Sequence, residues 1–190
     1  MVTSTDKSQP LFNGSTLDGW RIGGDGAAFV VEDGAIKATG MKGNLIYVGS
    51  SGNASWTDFD LTLKVKTGNK ANSGVFIHCS SADVKGGQIG LEAQLANDGN
   101  SDRQKTGSLW SVAPVEQIHV RDGVWFDYRI VVKGRQVTIY VNGGKVNEWT
   151  QPADWQPPTN VALARLGAGT LAIQSNQGVV WIKDVRITVP

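Results

Sequence analysis

Apolar and polar residues alternate with a period of two along most of this chain, and no stretch sustains an apolar repeat of 3.6 residues. In the clearest case Phe59, Leu61, Leu63 and Val65 alternate with Asp58, Asp60, Thr62, Lys64 and Lys66, giving an extended segment one greasy face and one wet face. Glycine interrupts the alternation: 24 of 190 residues are Gly, against a usual ~7%. Phe29–Lys37 reads as a hairpin around Asp33-Gly34. Trp125–Val132 and Val137–Val141 flank a turn at Lys133–Gln136, and Asn142-Gly143-Gly144 is another turn signal. Leu171–Gln174 and Val179–Val189 supply the last strands. Ten or more short strands without helices predict an all-β chain: a two-sheet antiparallel sandwich of the jelly-roll kind. No linker or internal repeat divides it, so a single domain over 11–190 is expected behind a short N-terminal tail, 1–10.

Charge and composition narrow the function. A net charge of +1 gives no field to hold nucleic acid or an acidic membrane. No apolar run approaches the ~20 residues of a membrane span. The single cysteine, Cys79, excludes an intramolecular disulfide and reads as a buried small hydrophobe. Met1–Lys7 carries no apolar signal region. The protein is then expected to be cytoplasmic, or to have lost a secretory signal.

Three segments carry the functional expectation. In Ser73–Cys79, Val75, Ile77 and Cys79 share one face, and Phe76 and His78 the other. In Gln88–Leu95, Ile89, Leu91, Ala93 and Leu95 form a core face opposite Gly90, Glu92 and Gln94. In Gly107–Ser111, Leu109 points inward and Ser108 and Trp110 outward. Were these strands neighbours, His78, Glu92, Gln94 and Trp110 would meet on one face. An indole platform ringed by directional hydrogen-bonding groups is what a sugar ring needs. Equally, any half-solvated sheet shows an outward polar face.

Leu11–Trp20, Val31–Ile36, Ala71–Phe76, Gly90–Gln94, Thr106–Trp110 with Ala113-Pro114, Trp125, Val132–Gly134, Asn142-Gly143 and Ile182–Ile187 occur in that order. As a set they resemble the 3-keto-disaccharide hydrolase domain family, long catalogued as a domain of unknown function. The resemblance implies a concanavalin A-like lectin/glucanase jelly roll, a periplasmic or extracellular location, and action on glycosides oxidised to a ketone at ring carbon 3. Position by position it implies Glu92 as a catalytic candidate and Asn72, Ser73, Gln94 and Lys183 as substrate-binding candidates, with Gln174 in a segment that follows the family in part; the shared sheet face adds His78 as a second catalytic candidate and Trp110 as a substrate-binding one. His78 stands where many members have Arg, Trp110 where many have Tyr, and Asn97 where an Asp commonly follows.

The residues suit that chemistry better than ordinary glycoside hydrolysis, which uses two flanking carboxylates. Glu92 is followed by Gln94 and Asn97, leaving only Asp98, from the loop, as a nearby second acid. A 3-keto sugar needs one base, because the ketone acidifies the neighbouring C2–H, the aglycone leaves C1 by elimination, and water adds back. Lys183, Gln94, Asn72 or a divalent metal ion held with His78 and Glu92 could face the enolate oxygen. The expected partner is a carbohydrate, a glucoside or oxidised glucoside. The alternatives are a non-catalytic carbohydrate-binding module, a conventional endo-glucanase and a structural sandwich domain.

Overall fold

A computed structural model describes residues 8–81 and 87–190. Among these residues thirteen strands and one 3-10 turn (Thr159–Val161) form two antiparallel sheets. The larger sheet contains β1 (Gln9–Pro10), β3 (Phe29–Glu32), β4 (Ala35–Ala38), β6 (Phe59–Thr67), β9 (Phe126–Lys133), β10 (Gln136–Val141), β11 (Gly144–Thr150) and β13 (Val180–Thr188). It runs β11-β10-β9-β6-β13-β4-β3, with β1 also on β13. The smaller sheet contains β2 (Trp20–Gly24), β5 (Gly43–Tyr47), β7 (Ser73–Cys79), β8 (Leu91–Leu95) and β12 (Thr170–Ser175), in the order β2-β5-β12-β7-β8. No described helix is long and apolar enough to cross a membrane.

The two-residue periodicity builds this directly. Phe59, Leu61, Leu63 and Val65 of β6 all lie in the core between the sheets, with Leu45, Val75, Leu91, Ala93, Ile173 and Ile182 among their partners there. The hairpin turns fall where Gly and Asn permit them: Asp33 (φ +50°) with Gly34 (φ +75°), and Asn142 (φ +48°) with Gly143 (φ +79°), take the left-handed conformation of tight primed turns. Gln9 and Pro10 pair with Ile187 and Arg186, so pairing begins within the stretch expected as a tail.

One strand departs from simple alternation. The β7–β12 register shifts between Thr170 and Leu171, so Cys79 faces Thr170 and Ile77 faces Leu171, with His78 looped out between them at φ +54°. Such a bulge reverses the facing of everything after it. Cys79 therefore does not share a face with Val75 and Ile77. It joins Phe76, Ile46, Ala172 and Ile89 in a second small apolar cluster on the outer face of the smaller sheet. Ile89, expected on the core face with Leu91, sits in that outer cluster too, because β8 begins only at Leu91.

Candidate active site

The outer face of β8 carries Glu92 and Gln94, as the alternation requires, while Leu91, Ala93 and Leu95 enter the main core. Across the sheet, Glu92 pairs with Phe76 and Gln94 with Gly74. Gly74 explains the Asn-Ser-Gly run. A Cβ there would lie 2.6 Å from Glu92 Cγ and closer still to its carboxylate, so only glycine lets the acid lie across the neighbouring strand. On the far side of β7, Gln174 extends one residue past the Val75–Ile173 pair.

The third segment docks against β8 as expected. Leu109 bridges Ala93, Trp110 N–H donates to Glu92 O (2.9 Å), and Gln94 N–H donates to Ser108 O (2.9 Å). Leu109 is buried in the core and Trp110 faces the acid. Ser111 turns the chain away at φ +59°, its N–H held by Gln104 Oε1 at 2.7 Å. Together Glu92, Gln94, Asn72, Gln174 and Trp110 line a cavity of about 240 Å³ with Gln88, Asp102, Asn176 and Gly87. That is below the ~300 Å³ at which pockets begin to take drug-sized ligands, and it suits one sugar ring.

Glu92 is 3% exposed, and burial pushes its carboxyl up from 4.5 to about 7. The hydrogen bond from Gln88 opposes this rise and the nearby Asp102 charge adds to it. Gln88 Nε2 donates to Glu92 Oε2 at 2.5 Å. Among the described residues none donates a hydrogen bond to Oε1. A carboxyl poised near neutrality accepts and returns a proton at ordinary pH.

Asp102 is the second acid of this pocket, and neither spacing nor resemblance pointed to it. Asp98, the acid nearest in sequence, instead accepts Asp122 N–H at 2.8 Å and is not among the described residues of the cavity lining. Asp102 Oδ2 accepts Gln94 Nε2–H at 3.2 Å and Asn72 Nδ2–H at 3.4 Å, and Oδ1 accepts Gln104 N–H at 2.9 Å. The signal was the pattern Asn100-x-Asp102-x-Gln104. Each of its first two side chains accepts the N–H two residues on (2.8 and 2.9 Å), as Asx turns do. Where that turn would land was invisible in one dimension.

Three candidates stand elsewhere. His78, looped out by the bulge, lies 2.9 Å from Thr57 O through Nε2 and accepts Gly167 N–H at 3.2 Å through Nδ1. Burial pushes its pKa down, so it is a neutral pin between two loops rather than a partner of Glu92. The cleft it lines is larger, about 500 Å³, but the described residues of that lining include no carboxylate. Ser73 is buried and donates to Gln174 O at 2.6 Å, tying β7 to β12 without facing the cavity. Lys183 lies on the larger sheet, its Nζ 4.5 Å from the centre of the Trp125 ring. The indoles divide likewise. Trp20 is buried and donates to Leu11 O at 2.7 Å, Trp149 packs on Trp155, and Trp125 and Trp181 carry Lys66 between them.

The donor set imagined for a metal, His78 with Glu92, is therefore not assembled. Among the described residues no group of three or more His, Cys, Asp or Glu gathers in one place.

Residues 7–188 match the family model described as a 3-keto-alpha-glucoside-1,2-lyase-like domain. None of the curated proteins matches the chain. Among solved structures, a Parabacteroides distasonis ATCC 8503 protein provisionally designated a glycosyl hydrolase aligns over 99% of this chain and 97% of its own, at 24% identity and a TM-score of 0.81. The carbohydrate-binding module CBM66 from Bacillus subtilis aligns over 90% and 96%, at 11% identity and a TM-score of 0.56. The marine alginate lyase AlyA1 from Zobellia galactanivorans covers 86% and 81%, at 15% identity and a TM-score of 0.54. At these identities the structural likenesses establish the sandwich fold.

Proposed function

The chain belongs to the 3-keto-α-glucoside-1,2-lyase-like family, and on that premise we propose that it cleaves 3-keto-glycosides at the Glu92 pocket, with Glu92 as the base. The observation that carries this is the buried Glu92 carboxyl, laid over Gly74, raised to about 7 and lining the cavity. The Glu92 carboxylate takes the C2 proton of a sugar whose C3 is a ketone. The C2–H electron pair becomes the C1–C2 double bond, through the enolate, as the C1–O bond breaks and the aglycone oxygen departs with the C1–O pair. In an α-glucoside the C2–H and C1–O bonds lie on opposite ring faces, so the departing oxygen takes its proton from solvent water and Glu92 keeps the C2 proton for the hydration step. Water then adds across the double bond, OH to C1 and H to C2, giving net hydrolysis; release before that step is the lyase outcome. Trp110 offers a flat apolar surface beside the acid for the C–H face of the ring.

Activity on methyl 3-keto-α-glucoside, followed by methanol release, tests this. The wild type should turn it over and Glu92→Gln should lose at least about 100-fold in kcat, as for removal of a general base. Equal rates in the two proteins would reject Glu92. Sugar binding by both with turnover by neither would favour the carbohydrate-binding module, which the sandwich fold also accommodates.

A further inference from the structure

The cavity is unusual in what its amides present. An amide side chain has an acceptor end and a donor end, and which end faces a ligand is set by what holds the other. Here the two acids settle it when ionised, as Glu92 is above about pH 7, since a carboxylate oxygen only accepts. Asp102 Oδ2 takes the Gln94 Nε2–H and Asn72 Nδ2–H groups, and Glu92 Oε2 takes the Gln88 Nε2–H. The oxygen ends are left over: Gln94 Oε1 and Gln88 Oε1 are buried with no hydrogen-bond partner among the described residues, and so is Gln174 Oε1 on the opposite wall. Gln94 is 1% exposed, so water does not readily serve it. A buried acceptor left unmatched is costly, and a ligand bearing donors removes that cost. No Lys or Arg is among the described residues lining the cavity, whereas two acids are.

We infer that Asp102 is the specificity-determining residue of this pocket: by holding Gln94 and Asn72 by their N–H groups it turns their oxygens toward the ligand, selecting a neutral, hydroxyl-rich pyranose over an acidic one. This deepens the reading above and depends on the same cavity being the sugar site. A pyranose hydroxyl donates to an unpartnered amide oxygen. A uronate offers a carboxylate in the same place, which cannot donate and meets two acids. Asp102→Asn reverses the pattern at little change in volume. Gln104 N–H still demands an oxygen at the Oδ1 position, so the new NH₂ takes the Oδ2 position. It faces Gln94 and Asn72, whose amides then flip their own NH₂ groups to the cavity.

Binding of methyl α-glucoside and methyl α-glucuronide, neither of which is a 3-keto substrate, reads this apart from catalysis, through quenching of Trp110 fluorescence with Trp110→Phe as the blank. The wild type should bind the glucoside at least about tenfold more tightly, the scale of one or two hydrogen bonds gained against charge repulsion. Asp102→Asn should bring the two affinities within about threefold while its melting temperature persists. Equal affinities in the wild type, preference for the glucuronide, no binding of either probe, or unchanged selectivity in Asp102→Asn overturns the inference. Selectivity as expected with no turnover of the 3-keto substrate would instead sink the catalytic reading and leave Asp102 standing.

Discussion

Replacing Glu92 by Gln should make the protein more stable at alkaline pH while removing its activity. The Glu92 carboxyl titrates near 4.5 in an unfolded chain and about 7 in the fold, where burial disfavours the charge. The folded state therefore holds this proton more tightly than the unfolded state does. Stability from that protonation is fully present below about pH 4.5 and drains away as pH rises to about 7. From 4.5 to about 7, at about 1.36 kcal/mol per pH decade, the loss is roughly 3 kcal/mol. Glutamine never ionises and escapes it, while still offering Gln88 a carbonyl oxygen. In denaturant melts Glu92→Gln and wild type should be within about 1 kcal/mol of each other at pH 4.5, and the variant should lead by roughly 3 kcal/mol at pH 8.5. For a chain of this size that is about 9 °C in melting temperature. Titrating groups that do not act on Glu92 change both proteins alike and cancel in the difference. A gap that stays constant from pH 4.5 to 8.5, or a variant weaker at pH 8.5, would refute a buried, proton-holding Glu92 and with it the base. In the wild type the same titration should appear kinetically, kcat/KM rising with pH through an inflection near 7.

Gly74→Ala forces a methyl against Glu92 Cγ, 2.6 Å away; it should cost about 1–3 kcal/mol in a urea melt and turnover should fall with it. His78→Ala breaks the two loop contacts and should lower stability by about 1–3 kcal/mol, yet leave kcat/KM on a 3-keto-glucoside within about threefold because the ring lies outside the Glu92 cavity. His78→Asn, at home at φ +54°, should recover part of that stability. Because burial depresses the His78 pKa, its contribution is present above about pH 6.5 and is lost as pH falls through the folded value, so the gap between wild type and His78→Ala should narrow in acid. Trp110→Ala should raise KM about tenfold while kcat changes much less, since an apolar platform stabilises ground and transition states alike.

Much of this molecule is written in its alternation. Period two with glycine turns requires strands, and the faces of β6, β8 and the Leu109–Trp110 segment follow from parity alone. Glu92, Gln94 and Trp110 were legible because each sits on an unbroken stretch whose inward partners are plainly apolar. Parity fails where one residue is added. The bulge at His78 rests on a cross-strand register shift and a left-handed backbone, and it removes His78 from the Glu92 face while sending Cys79 outward. Nothing local announces which residue a sheet will leave unpaired.

What the sequence by itself determined is the set of strands and the direction each side chain leaves them, because both are properties of single extended segments. Only the tertiary structure decided which segments lie side by side. It placed Lys183 on the other sheet and Ser73 in a backbone tie, and it brought Asp102 from a loop to the amides of Gln94 and Asn72. The raised Glu92 carboxyl has the same origin: desolvation is exerted by atoms far away in the chain, and it exists only once the sheet has closed around the acid.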